Sequence, residues 1–179
     1  MSRVLLGCGA SAALHKGCDL ASKLFQAGHE VRAVLTPRAA QLIDPQLFEA
    51  LTGEPASVDE FSSSRRGGMD HIELSQWAEA VVVAPAPADL VSRLALGLAN
   101  DLLTTTALAV PAGVPRLIAP AMNPHMLAAP PLLRNLDTLR EDGWRVLEPD
   151  EGHTACGIEG KGRLPEVERI LAAVAELLG

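Results

Sequence analysis

Cysteine is scarce in this 179-residue chain: Cys8, Cys18 and Cys156 stand far apart, with no CxxC pair. An odd number at wide spacing argues against a disulfide framework or a zinc knuckle. The first apolar run, Val4-Leu5-Leu6, is too short for a secretory signal and lacks a cleavage region. Other apolar runs are broken by proline, glycine or charge well before membrane-spanning length. Together these absences lead us to expect a cytoplasmic protein. A basic face is missing too. The formal charge of -7 weighs against nucleic acid and anionic membranes as partners. It leaves room for a small anionic ligand, since backbone N–H groups and helix N-termini hold phosphates without a net positive chain. No internal repeat is visible.

What remains is an alternation of short buried β-like runs and helical stretches. Strands are expected at Val4 to Cys8, Val31 to Leu35, Ala80 to Ala84, Arg116 to Ala119 and Trp144 to Leu147. Helices are expected at Gly9 to Ala27, Asp44 to Leu51, Ala88 to Ala99, Asp101 to Val110, Leu132 to Asp142 and Pro165 to Leu178. This order predicts one α/β domain over residues 1–179, with a parallel sheet flanked by helices on both faces. Ligands of such sheets bind beyond the carboxyl ends of the strands. Ser62 to Gly68 reads as a mobile surface loop, and the glycine-rich Gly152 to Arg163 as a lid.

Four segments carry residues suited to chemistry. The first βα turn, Gly7-Cys8-Gly9-Ala10-Ser11, is small enough for backbone to approach an anion, with Ser11 as a candidate N-cap. It is neither a GxGxxG dinucleotide fingerprint nor a P-loop. Pro120-Ala121-Met122-Asn123-Pro124-His125-Met126 follows a buried strand, and its prolines fix the backbone around a carboxamide able to donate and accept. His71, with Asp70 or Glu73 to orient it, is a candidate general base. Cys156 lies among glycines near Lys161 and Arg163, and nearby positive charge lowers a thiol pKa. Each segment alone has a plainer reading as a cap, a turn or a packed small residue.

Taken in order, the segments resemble the flavin-containing cysteine decarboxylases, above all the phosphopantothenoylcysteine decarboxylases of coenzyme A synthesis. The marks are His71 to Ser75 for H-I-x-L-S, Pro120 to Met126 for P-x-M-N-x-x-M, and Ala155 to Arg163 for A-C-G-x-x-G-x-G-R, supported by Ala84 to Leu90 and Ala99 to Thr106. The resemblance implies a three-layer Rossmann-like (flavodoxin-type) fold, FMN, no metal, and a homotrimer or assembly of trimers with the flavin at a subunit boundary. It implies a phosphorylated cysteine conjugate as substrate, decarboxylated through a thioaldehyde and an enethiolate. Oxidised flavin supplies the electron sink that a cysteine carboxylate lacks. By the same resemblance Gly9, Ala10, Ser11, Ala84, Pro85 and Ala86 meet the FMN phosphate, while Thr36, Asn100, Thr104 and Thr105 lie nearer the ribityl chain and ring. His71 becomes the acid/base of the oxidation and Asn123 the holder of the substrate carboxylate. Cys156 becomes the proton donor to the enethiolate. Met126, Ala155, Gly157 and Arg163 contact substrate, with Arg163 and the glycines forming the lid.

Three positions depart from that pattern. Pro87 replaces a threonine and removes a hydroxyl from the phosphate side, Ala10 adds a methyl group to the first turn, and Leu127 replaces a tryptophan expected to shape the substrate pocket. The ligase half that many bacterial relatives carry downstream is absent from these residues, which implies a separate ligase. Peptidyl-cysteine decarboxylases stop at the enethiol and do not resemble the A-C-G segment. Flavin prenyltransferases share fold and FMN without needing the Asn123 and Cys156 motifs. Regulatory, non-catalytic flavoproteins of this kind usually carry long acidic tails, which this sequence does not show.

Overall fold

The computed structural model describes residues 1–61, 69–153 and 157–179. The expected loop Ser62 to Gly68, together with Ala155 and Cys156, lies outside the described residues. Five strands form one parallel sheet: β1 (Arg3–Cys8), β2 (Glu30–Leu35), β3 (Ala80–Ala86), β4 (Arg116–Pro120) and β5 (Trp144–Val146), in the order β2-β1-β3-β4-β5. This is the flavodoxin-type order, whose direction reverses between β1 and β3 and opens a crevice there.

Strand periodicity divides the core in two. Val4, Leu6 and Cys8 of β1, Val82 and Ala84 of β3, and Leu117 and Ala119 of β4 face one side. There they pack on α1 (Leu14–Gln26), α2 (Pro45–Thr52) and a helix at Val167–Leu178. Leu5, Val81, Val83 and Ile118 face the other side. They meet α3 (Asp70–Trp77), α4 (Ala88–Ala95), α5 (Leu102–Ala109) and α7 (Pro130–Glu141). All seven residues of β3 are buried. A central parallel strand covered on both faces needs such a continuous apolar run. The remaining elements are α6 (Pro124–Leu127), the antiparallel hairpin of β6 (Asp150–His153) and β7 (Glu159–Arg163), and α8, the helix at Val167–Leu178.

The boundaries correct the sequence reading in places. Helix α1 begins at Leu14 rather than Gly9, because Gly9 to Ala13 form a turn in which the Gly9 N–H donates to the Pro85 carbonyl at 2.9 Å. Ser11 is therefore not the N-cap, although its Oγ accepts from the Ala13 N–H at 3.2 Å. Helix α4 stops at Ala95, where Gly97 takes a left-handed conformation and Leu98 N–H turns back to the Arg93 carbonyl at 2.9 Å. Helix α3 and the β6–β7 hairpin were not foreseen. Asp44 and Asp101 cap α2 and α5, where the sequence put the starts of those helices. No helix is long and apolar enough to cross a membrane among the described residues.

Candidate active site

The carboxyl-terminal edge of the sheet opens into a cleft of about 640 Å³. Its walls come from the segments that follow four successive strands: Ala10 to Ala13 after β1, Arg38 after β2, Pro87 to Asp89 after β3, and Ala121 to Asn123 after β4. Gly162 to Leu164, at the end of the hairpin, close one side. Lys16, Arg38 and Arg163 line this cleft against a single carboxylate, Asp89. In a chain with a formal charge of -7, these three cations still outnumber Asp89 and the one Glu166 that Lys16 and Arg163 share, which suits an anionic ligand.

Two segments picked out from the sequence are physically joined here. The Met122 N–H donates to the Gly162 carbonyl at 2.9 Å, and a Cβ at Gly162 would stand 2.2 Å from the Met122 carbonyl oxygen. The Asn123 segment and the glycine-rich hairpin can dock this closely only because residue 162 has no side chain. Asn123 caps α6, its Oδ1 accepting from the His125 N–H at 2.8 Å. The cap fixes the orientation of the carboxamide, which carries both donor and acceptor groups. Met126 and Arg163 line the same cleft. Gly157 is exposed beside the undescribed residues and does not line it.

The cofactor candidates divide into wall and scaffold. Ala10 and Ser11 line the cleft. Ala10 strains nothing, since no described non-glycine residue has a positive φ. Gly9 lies directly beneath the Pro87 ring, whose Cδ stands 2.3 Å from the place of a Gly9 Cβ. Ala84, Pro85 and Ala86 are buried, and their carbonyls are taken by Cys8 Sγ (3.2 Å), Gly9 N–H (2.9 Å) and Ala121 N–H (3.0 Å). They hold the turns together rather than face the cleft. Thr36 is buried, its Oγ1 accepting from Ala39 N–H at 3.2 Å and its N–H donating to the Cys8 carbonyl at 3.0 Å. Thr104 forms a capping box with Asp101, and Thr105 Oγ1 donates to the Asp101 carbonyl at 2.8 Å. Asn100 is exposed and accepts from Arg93 Nη1 at 3.1 Å. Thr104 faces a separate hollow of about 250 Å³, beside Arg93, Arg116 and Trp144. Within one chain the Asn100 to Thr105 region therefore does not reach the cleft.

His71 also stands apart from the cleft. It lies on α3 with Nδ1 2.8 Å from Glu60 Oε2. Glu60, and neither of the two carboxylates expected from the sequence, orients the imidazole. Glu73 pairs instead with Arg32 at 3.2 Å, and Asp70 is buried with Oδ1 unpartnered. Burial pushes the Cys8 and Cys18 thiols up, away from thiolate chemistry. Leu127, which stands where the family resemblance leads one to expect a tryptophan, belongs to the apolar core. Sequence reasoning passed over Arg38 and Lys16. The available signal was position, since each follows a strand or turn that ends at the ligand edge.

A family model described as Flavoprotein matches residues 1–179. The chain belongs to the flavoprotein family. It is 44% identical over 168 residues to the coenzyme A biosynthesis bifunctional protein CoaBC of Bacillus subtilis (strain 168), covering 94% of this chain and 41% of that protein. The chain thus spans about two-fifths of the length of the curated relatives it matches. Its fold is similar to a PPC decarboxylase mutant complexed with pantothenoylaminoethenethiol (TM-score 0.86, 32% identity, covering 98% of this chain and 97% of that one). It is also similar to the FMN-dependent cysteine decarboxylase SpaF (TM-score 0.84, 32% identity, 99% and 95%). The family implies a flavin, and the cleft fits one. Its size falls in the range of about 300–1,000 Å³ usual for such ligands. Alanines, Met122, Met126 and Leu164 supply apolar wall for a ring system, and the cations suit a phosphate ester.

Proposed function

We propose that this domain decarboxylates phosphopantothenoylcysteine to phosphopantetheine with FMN as the bound flavin. The carrying observation is the union of Asn123 with the glycine-rich hairpin at the cleft, through Met122 and Gly162. The similarity to CoaBC and to a PPC decarboxylase supports the substrate. A bound flavin would supply a reversible two-electron acceptor for the carbon bearing sulfur.

The protein's part begins with the substrate carboxylate, which the Asn123 carboxamide holds by donating to it. A base takes the thiol proton as the C–S carbon is oxidised to a thioaldehyde, and His71, oriented by Glu60, has the chemistry for that step. The C–COO bond then breaks, and its electron pair passes into the thiocarbonyl to give CO₂ and an enethiolate. Cys156 protonates the carbon that has lost CO₂, and the product thiolate takes back the proton held by the base to give the thiol. The net change is replacement of CO₂ by one proton, with no external oxidant. Arg163 and the hairpin shield the reacting end from water. Because His71 does not line the cleft of its own chain, this reading calls for a homotrimer in which a neighbouring subunit supplies the imidazole.

The test is product analysis with flavin-loaded protein, comparing phosphopantothenoylcysteine with a peptide ending in cysteine. Phosphopantetheine from the first and little product from the second supports the proposal. Turnover of the peptide alone overturns it in favour of a peptidyl-cysteine decarboxylase.

A further inference from the structure

Most cations of this acidic chain are neutralised. Lys16 pairs with Glu166 at 2.9 Å, Arg163 with Glu166 at 3.2 Å, and Arg93 with Asp89 at 3.1 Å. Among the described arginines only Arg38 and Arg134 make no side-chain hydrogen bond or ion pair, and of those two only Arg38 lines the cleft. The chain has 22 carboxylates against 15 lysines and arginines. Leaving one cation unpaired at the ligand edge is therefore a local feature and does not reflect a shortage of partners.

The backbone fixes where that cation stands. Thr36 joins its N–H to the Cys8 carbonyl and lets its Oγ1 accept from Ala39, which ties the start of the 3-10 turn Ala39–Gln41 to the end of β1. Arg38 is the helical-conformation residue that opens this turn, with φ -73° and ψ -35°. It shares the cleft wall with Ala10 and Ser11 from the β1 turn and with Pro87 to Asp89 from the β3 turn. Helix α4 begins at that last turn with Pro87 at its N-cap, a residue with no side-chain donor or acceptor and no N–H. Pro87 thus offers this wall no polar side chain, and Arg38 brings it an unpaired guanidinium.

We propose that Arg38 is the residue that binds the phosphate of flavin mononucleotide. The proposal rests on the FMN reading above and deepens it by naming the group that separates the mononucleotide from riboflavin. A guanidinium presents paired N–H donors that match two phosphate oxygens, and it remains charged at every working pH.

The experiment is a fluorescence titration of flavin-stripped protein with FMN and with riboflavin, for wild type, Arg38→Ala and Arg38→Lys. Wild type is expected to prefer FMN. Arg38→Ala should weaken FMN about tenfold to a hundredfold, as for loss of a charged hydrogen bond, and leave riboflavin unchanged. Arg38→Lys should recover part of the loss, and the salt dependence of FMN binding should shrink in the alanine variant. Equal weakening of both flavins by Arg38→Ala, or no change in either, overturns the assignment. Wild type that does not distinguish FMN from riboflavin overturns the FMN reading and this proposal with it.

Discussion

Gly9 shows how a single missing side chain shapes the site. The Pro87 ring occupies the space a β-carbon would need, with Cδ at 2.3 Å and Leu90 Cδ2 at 2.9 Å from its position. Gly9→Ala must push the β3 turn away from the β1 turn, and overpacking of this kind costs about 1–3 kcal/mol. The expected outcome is a lower melting temperature together with a lower flavin-to-protein ratio on purification; an unchanged ratio would show that the two turns do not jointly hold the flavin. The residue types of this site were legible in the sequence, because small residues, a proline-bounded Asn and a Cys among glycines are conspicuous. Their division of labour was not. Ala84, Pro85 and Ala86 are buried with their carbonyls taken by neighbouring segments, a long-range pairing that no local pattern reveals. Glu60 as the partner of His71 was hidden for the same reason, eleven residues away on a different segment.

Among the elements, helix starts were the most readable. Asp44-Pro45 and Asp101 announced α2 and α5, and both aspartates cap them. Burial alone would raise the Asp101 carboxyl, but the Thr104 N–H and Arg93 hydrogen bonds outweigh it and hold the group below its ordinary value of 3.8. Asp101→Ala removes the cap and is expected to cost about 1–2 kcal/mol in urea unfolding at neutral pH. The contribution of a depressed carboxylate is complete above its unfolded value and lost as pH falls through the folded one. The stability gap between wild type and variant should therefore persist at neutral pH and close only below 3.8. Helix α3 escaped notice because its sequence, Asp70 to Trp77, mixes polar and apolar residues without a clear helical stripe. The β6–β7 hairpin escaped because glycine and charge leave no alternating apolar face. Its glycines serve docking. Gly162→Ala puts a methyl group 2.2 Å from the Met122 carbonyl. The variant should keep its flavin, lose at least tenfold in turnover, and become sensitive to proteolysis in the hairpin.

At the scale of the whole molecule, the fold class was legible because alternating buried runs and helices admit few arrangements. The separation of His71 from Asn123 was not, since it is set by where α3 and the turn after β4 pack in the fold, which no local pattern reveals. If a neighbouring subunit completes the site, His71→Asn and Asn123→Asp chains are each inactive alone yet complement each other. Random mixing at equal amounts should then restore about one site in four, the share expected when each site draws one group from each of two subunits. No recovery on mixing would return His71 to its own chain's site or remove it from catalysis. The central claim concerns Asn123 itself. Aspartate caps a helix as well as asparagine does, so Asn123→Asp keeps α6 and the cleft while setting a carboxylate against the substrate's own. The decisive measurement is CO₂ release from phosphopantothenoylcysteine by the flavin-loaded wild type and by this variant. Turnover by the wild type, with a loss of about a hundredfold or more in a variant that retains its flavin spectrum, is the expected result, in line with removal of a directly positioned charged contact. Equal CO₂ release from the two proteins would contradict the account.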